Sequence, residues 1–408
     1  MNILLVNHYA GSRQYGMEYR PYYLSREWTR AGHQVHIIGA SYSHLRTTNP
    51  AVTDRLVSEE QDGVRYSWIR TPAYRGNGSG RVRNIAAFLI GLKRIEAQLV
   101  REGRPDIVIA SSTYPFDVYP GHRIARKAGA RFAYEVHDLW PLTPIELGGM
   151  SPRHPLIRMM QRAEDFGYAS ADVVVSLLPG AREYMLSRGM ATHKFVHVPN
   201  GIDVDEWNGC DADLPVEHQN AIQRLKREGI FLVGYAGGHG LSNSLETFVD
   251  STACIPKNRV ALVLVGDGPA KAELIRRANR LNNGRIVFLS PIPKQTIPLF
   301  LSEMDALYMG SPARSIYRFG ISPNKLMDYM MAARPVIHAN PTCDDWMARC
   351  EGGLTVAPDS ANAIGEAIVK LVGMTPRERA EMGRRGREYV TAHHDYRHLA
   401  ERFIQAVR

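Results

Sequence analysis

The feature that most constrains this chain is a repeated rhythm: a short β-branched run, a helical pattern closed by glycine, then another β-branched run. Residues 3–6 read as a buried strand, 19–30 as an amphipathic helix ended by Gly32, and 35–38 as a second strand. The unit returns at 106–110, a helix ending at Gly129, and 132–136. It returns again at 172–177, a helix ending at Gly189, and 195–198. Strands joined through crossover helices run parallel, so the first half is expected to be a doubly wound α/β sheet.

After Pro199-Asn200-Gly201 the rhythm gives way to a polar stretch, 203–220, and a second set follows. Its strands are expected at 230–236, 260–265, 285–289, 306–309 and 336–338, with helices from about Ser244, after Pro269 and after Pro323. Residues 361–372, 377–392 and 396–407 read as helices. The expected architecture is two Rossmann-like domains, 1–199 and 200–390, facing across a cleft, with a terminal helix, 391–408, packing back on the first domain. A length of 408 residues fits two such cores better than one.

Composition narrows the function. With 44% hydrophobic and 22% charged residues the chain is globular, and no apolar run approaches the ~20 residues of a membrane span. The opening residues pass straight into a strand pattern without the marks of a signal peptide, so a cytoplasmic location is expected. Cys210, Cys254, Cys343 and Cys350 form no C-x-x-C pair and no regular spacing with histidine; they read as reduced thiols, and no metal site is expected. The net charge of +9 is lopsided: residues 1–200 hold 25 Lys+Arg against 17 Asp+Glu, residues 201–408 hold 25 against 24. The first half therefore suits an anionic partner, such as a phospholipid surface, a lipid diphosphate or nucleic acid. Residues 81–104 form an amphipathic helix with basic ends, which either packs Ile85, Phe88, Leu89 and Leu92 on the sheet or lies on an anionic membrane.

Ligands of open α/β sheets collect at the carboxyl ends of strands, which singles out two loops of the second half. In the run from Gly234 to Gly240, Gly237 and Gly238 let backbone amides approach an anion, and His239 adds a ring. Asn243 stands as N-cap three residues before Glu246, the capping-box spacing. In the second loop Ser322 is expected to cap a helix with Pro323 at its first position. That helix start aims the amides near Ile321 and Asn324 at an anion, while Arg318 and Lys325 supply the charge that a leaving nucleoside diphosphate needs. Asp328 either receives ribose hydroxyls or pairs with Lys325. In the first half, His137-Asp138 ends a strand; His137 is either a ligand contact or a satisfied structural histidine. The loop over 7–18, with Gly11 and Gly16, and Arg20 after it, suits an acceptor or an anionic group on it.

Read in order, Gly32-His33, the run from Glu135 to Pro141, Pro199 to Asp203, Gly234 to Gly240, Leu264 to Pro269 and Ser322 to Leu326 resemble glycosyltransferase family 4, the retaining GT-B enzymes. Within it the likeness is to a bacterial surface-polysaccharide branch similar to the fucosamine transferases of O-antigen assembly. The resemblance implies a GT-B fold, a nucleotide sugar, with UDP favoured, held mainly by the second domain, and a saccharide or lipid-linked acceptor held mainly by the first. It also implies retention of configuration with no essential metal or other cofactor. His137 and Lys325 would be catalytic; Gly237, Gly238, His239, Asn243, Arg318, Ile321, Ser322, Pro323, Asn324, Lys325 and Asp328 would hold the donor; Gly16, Arg20 and Asp138 would hold the acceptor. Two departures stand out. Relatives carry two glutamates eight residues apart, which here fall on Gly320 and Asp328, and His239 and Asn243 replace an Arg and Lys pair. A front-face displacement, with peripheral contact to an anionic membrane, is the expected mode of action. A GT-B nucleotide-sugar epimerase would share the donor site. An NAD-dependent oxidoreductase would need G-x-G-x-x-G after the first strand, which 7–16 lacks, and no nucleic-acid-binding motif is present.

Overall fold

The computed structural model describes residues 1–76, 78–209, 212–256, 258–281, 285–340 and 343–408, so Cys210 lies outside the described residues. The chain divides into two compact units. One holds Met1–Asn200, Phe319–Ser322 and Tyr396–Arg408; the other holds Gly201–Arg318 and Pro323–Asp395.

The first unit is built on eight strands: β1 (Asn2–Val6), β2 (Gln34–Ala40), β3 (Leu56–Gln61), β4 (Val64–Ile69), β5 (Ile107–Ala110), β6 (Arg131–Val136), β7 (Val173–Ser176) and β8 (Phe195–His197). Their order is β3-β4-β2-β1-β5-β6-β7-β8. The chain winds outward from β1 and then restarts at β5 on its other side, so the β1/β5 junction is the switch point where a doubly wound sheet opens a crevice. Runs such as Val-Val-Val-Ser in β7 are buried along their whole length, because helices cover both faces of the sheet. The expected strands are present within a residue or two. The edge, however, is not parallel: β3 pairs antiparallel with β4 through a turn at Asp62 and Gly63, both with positive φ. That hairpin and the helix Pro155–Ser170 were not among the expected elements.

The second unit carries β9 (Phe231–Ala236), β10 (Val260–Val265), β11 (Ile286–Leu289), β12 (Ala306–Gly310), β13 (Val336–Ala339) and β14 (Gly353–Val356), in the order β11-β10-β9-β12-β13-β14. Every pairing is parallel, and the switch point lies between β9 and β12. The edge strand β14 and the helix Val216–Arg227, which begins within the polar stretch 203–220, are not among the expected elements.

The terminal helix Tyr396–Val407 does return to the first unit. It packs on the helix Arg20–Arg30, where Trp28 Nε1 donates to the Ala400 carbonyl at 3.0 Å and Tyr23 stacks on Tyr396. The basic helix spans Ser79–Gly103 and turns Asn84, Phe88, Leu92, Glu96 and Leu99 inward, with Ile85 and Leu89 only half-buried. No helix among the described residues is long and apolar enough to cross a membrane.

Candidate functional site

In the second unit the loops after β9 and β10 lie backbone against backbone. Gly237 N donates to Val265 O at 3.0 Å and His239 N to Asp267 O at 2.8 Å. A Cβ at Gly266 would stand 1.9 Å from the Gly237 carbonyl oxygen, so that approach requires glycine. Over this platform the helix Asn324–Met331 places Lys325. Its Nζ donates to the Tyr235 hydroxyl at 2.9 Å and to Asn243 Oδ1, and sits 4.9 Å from the Tyr235 ring centre. Gly237 makes the room: a side chain there would begin 2.9 Å from Lys325 Cδ. The Gly238 carbonyl accepts from Tyr235 OH and from Asn243 Nδ2, which fixes both residues around the amine. Burial lowers the pKa of Lys325 to about 8. Among the described residues no carboxylate pairs with it, so the amine keeps its charge without a counter-ion and has the chemistry to meet an anion.

Several expected roles change. Asn243 is not an N-cap: the helix Leu245–Asp250 begins after Ser244, at φ +45°, without a side-chain cap, and the capping box with Glu246 is not formed. Its amide is engaged by Lys325 and Gly238 instead. Ser322 does not cap the following helix, which starts at Asn324 with Pro323 as its uncapped N-cap residue. Ser322 Oγ accepts from Asn200 N at 2.7 Å, and its carbonyl accepts from Asn200 Nδ2. Asp328 makes no pair with Lys325; burial pushes its carboxyl up to about 7, with Lys294 opposing and Glu206 adding to the rise. The His239 ring is fully buried between Tyr235 and Phe288, both ring nitrogens lack partners among the described residues, and burial lowers its pKa to about 4. It is a neutral ring sealed beneath the loop.

The loop of residues 318–325 is divided between the units. Exposed Arg318, which donates to the Ser315 carbonyl, belongs to the second unit with Pro323, Asn324, Lys325 and Asp328; Ile321 and Ser322 belong to the first. Phe319 packs on Tyr184, and Gly320, at φ +90°, would drive a Cβ to 2.6 Å from the Pro179 ring. Glycine is thus required at 320, and no carboxylate fits there without moving the backbone.

In the first unit His137 follows β6 and sits in a buried polar network. Its Nε2 lies 3.1 Å from Ser111 Oγ and 3.3 Å from Glu135 Oε2. Ser111 Oγ donates to the same carboxylate oxygen and accepts from Asn7 Nδ2 at 3.1 Å. The other carboxylate oxygen, Oε1, accepts from Arg20 Nε at 2.9 Å. Burial works against the Glu135 charge, yet Arg20, His137 and Ser111 outweigh it and lower its pKa to about 2. Burial also works against an imidazolium at His137, but the bond and charge of Glu135, with Glu18, prevail and raise its pKa.

Arg20 therefore does not meet an acceptor. It is fully buried, and its remaining nitrogens donate to the Pro199 and Val198 carbonyls. Gly16 is buried at φ +92° in a turn closed by paired bonds with Ser12, so its backbone shapes the loop after β1. Asp138 is exposed beside His137. Three residues that the sequence reading did not single out complete the site. Ser111 and Asn7 are described above; Arg46, buried over the Trp68 ring, donates to the Ala10 and Ala40 carbonyls and pins the loop after β1. Glu135 opens the motif that runs to Pro141, and a carboxylate within a buried strand is the sequence signal that a cationic partner must exist.

Residues 15–201 match the family model described as Glycosyl transferase 4-like domain, and residues 230–374 match Glycosyl transferases group 1. The chain is 21% identical over 291 residues to the probable glycosyltransferase WbjE of Pseudomonas aeruginosa, covering 70% of this chain and 69% of that one. HepE of Anabaena, solved in complex with UDP-glucose, superposes with a TM-score of 0.67 at 15% identity, covering 99% of this chain and 98% of that one. Sucrose-phosphate synthase of Thermosynechococcus elongatus superposes with 0.69 at 19% identity, covering 99% and 97%. The E. coli trehalose-6-phosphate structure bound with UDP-2-fluoro glucose gives 0.71 at 13% identity, covering 99% and 98%. At these identities the solved structures fix the fold, which is GT-B.

Proposed function

The chain belongs to the family-4, group 1 glycosyltransferases, and from that premise we propose that it is a retaining enzyme using a UDP-sugar donor and a saccharide or lipid-linked acceptor of bacterial surface-polysaccharide synthesis. The observation that carries this reading is Lys325, a half-buried amine with only neutral partners among the described residues, standing over the glycine loops after β9 and β10. A departing nucleoside diphosphate develops negative charge, and a fixed cation that needs no reorganisation lowers the barrier to its departure. UDP-glucose in HepE and UDP-2-fluoro glucose in the E. coli structure make uridine diphosphate the nucleotide to test first. Asp328, its carboxyl pushed up to about 7 by burial, offers an acceptor when ionised or a donor when protonated to a ribose hydroxyl.

The acceptor hydroxyl attacks from the face the diphosphate leaves, and a diphosphate oxygen takes its proton, so no side-chain nucleophile is needed. His137 supports the donor sugar by hydrogen bonding. The helix Ser79–Gly103 supports contact with a lipid-linked acceptor: exposed Val82, Arg83, Ile90, Lys93 and Arg94 share its outward face. Reversal of Arg83, Lys93 and Arg94 to glutamate should abolish sedimentation with anionic vesicles while leaving donor binding intact.

Thermal unfolding in EDTA with UDP, GDP, ADP, TDP and NAD tests the donor assignment. At a hundredfold excess over Kd a bound nucleotide adds about 2.7 kcal/mol. One nucleoside diphosphate should stabilise the protein, and Lys325→Ala should lose the shift. Stabilisation by NAD alone, or by nothing, sinks the reading.

A further inference from the structure

The hydrogen-bond network around His137 determines which of its nitrogens faces a ligand. Asn7 is the starting point. Its Oδ1 accepts from Tyr9 N at 2.9 Å, and its Nδ2 donates to the Ser111 carbonyl at 2.7 Å, so the amide cannot be reversed without losing both bonds. Nδ2 therefore also donates to Ser111 Oγ, whose own proton goes to Glu135 Oε2. Both groups that Nε2 of His137 meets, the Ser111 oxygen and the Glu135 carboxylate, are then acceptors toward it. Nε2 must carry hydrogen. Among the described residues Nδ1 has no protein partner, and unlike the sealed ring nitrogens of His8, His218, His239 and His338 it is not wholly buried.

We propose that Glu135, clamped by Arg20, and Ser111, oriented by Asn7, are positioning residues that hold His137 in the Nε2–H form and present Nδ1 to the ligand. In the neutral ring Nδ1 accepts a hydroxyl proton; in the imidazolium it donates to an oxygen. The same carboxylate governs which form is present. The charges acting on the ring are Glu135 and Asp138 from its own segment, Glu18 from the loop after β1, Arg20 from the helix after that loop, and Asp117 from the short turn after β5. Acidic groups outnumber the single arginine, and the net effect raises the pKa of His137. Burial pushes the Asp117 carboxyl up to about 7 and raises those of Glu18 and Asp138 as well, which reduces what these three contribute.

This proposal rests on the glycosyltransferase reading only for the identity of the ligand as a sugar; the ring's protonation is measurable without turnover. Two-bond 1H–15N spectra of 15N-histidine-labelled full-length protein, with His137 assigned by loss of its signals in His137→Gln, read the tautomer directly. The wild type should show the Nε2–H pattern and titrate above the ordinary histidine value. Glu135→Gln, which keeps the shape, should lower that pKa by one unit or more, and Glu135→Asp should recover part of it. Ser111→Ala should preserve the Nε2–H form through the carboxylate. In turnover assays Glu135→Gln should shift the acid limb of the kcat profile with little change in donor KM. A wild-type Nδ1–H tautomer overturns the proposal even if no variant folds, and so does an unchanged His137 titration in a folded Glu135→Gln. Correct tautomer and titration with no sugar transfer would instead sink the enzymatic reading and leave this one standing.

Discussion

Each unit holds a cation near the ends of its strands, buried in the first and half-buried in the second, and the two are treated in opposite ways. Arg20 in the first unit is met by Glu135 and two backbone carbonyls, and the carboxylate is satisfied in turn by Ser111 and His137. Lys325 in the second unit is met by a phenol and an amide oxygen, with no opposite charge among the described residues. A compensated charge needs nothing further and can serve as scaffold. An uncompensated one is held at a cost in stability, which an anionic ligand relieves. The difference separates a pre-assembled site, where geometry is fixed before ligand arrives, from a site completed by its ligand.

Removing the arginine should produce the largest effect. Both partners of the Arg20–Glu135 pair are essentially inaccessible, so Arg20→Met leaves a buried carboxylate alone and should cost about 3–5 kcal/mol in urea unfolding. A loss below ~1 kcal/mol would show that water reaches the pair and that the contrast between the units is false.

The reverse signature is expected at the other cation. Lys325→Met should lower kcat/KM by roughly 10²–10³, the effect of deleting one preorganised donor to a developing charge. Its stability without nucleotide should hold or rise, since an unpaired charge has gone. Equal destabilisation by Arg20→Met and Lys325→Met would erase the distinction.

How far this contrast was visible beforehand depends on how local its causes are. Lys325 and its glycine platform were legible because strand, glycine loop and helix follow one another in sequence, and each carries its own signal. Strand positions were legible for the same reason: runs such as Val-Ala-Leu-Val-Leu-Val in β10 can only be buried. Arg20 was misread as a ligand contact because its partner is 115 residues away, and nothing in local spacing brings the two together. The assigned caps at Asn243 and Ser322 failed for a related reason, since capping types also serve long-range bonds, and those to Lys325 and Asn200 won. The β3–β4 hairpin was different: Asp62-Gly63 between two strand-like runs is a strong turn signal that went unused.

Titration offers a finer test, with opposite signs. Lys325 has a folded pKa of about 8 against an ordinary 10.5, so the unfolded chain binds its proton more tightly. Its cost is full below pH 8 and is relieved as pH rises toward 10.5, so stability from this group climbs through that window. Nucleotide affinity should move the other way, weakening above pH 8 by up to about tenfold per unit. Glu135, lowered to about 2 from 4.5, stabilises fully above pH 4.5 and loses that contribution as pH falls toward 2. His137, raised above 6.5, contributes fully below 6.5 and loses its contribution as pH climbs through the folded value. Urea unfolding from pH 7 to 10 should therefore show an alkaline gain in wild type that is missing in Lys325→Met. A gain of equal size in both proteins would assign it elsewhere.

The smallest expected effect compares two hydroxyls, one in each cluster. Tyr235→Phe removes a bond to the Gly238 carbonyl and an acceptor for Lys325, but leaves the ring beneath the amine and the side chain of Asn243 in place. A neutral hydrogen bond of this kind is worth about 1 kcal/mol, and the Gly238 carbonyl keeps Asn243 as a donor. Donor KM should rise severalfold with folding stability almost unchanged. Ser111→Ala deletes a hydroxyl that joins three partners inside a buried network, so its cost should appear in stability before it appears in donor KM. If Tyr235→Phe destabilises the fold as much as Ser111→Ala does, the cluster around Lys325 is as closed as that around His137, and its amine is scaffold and not receptor.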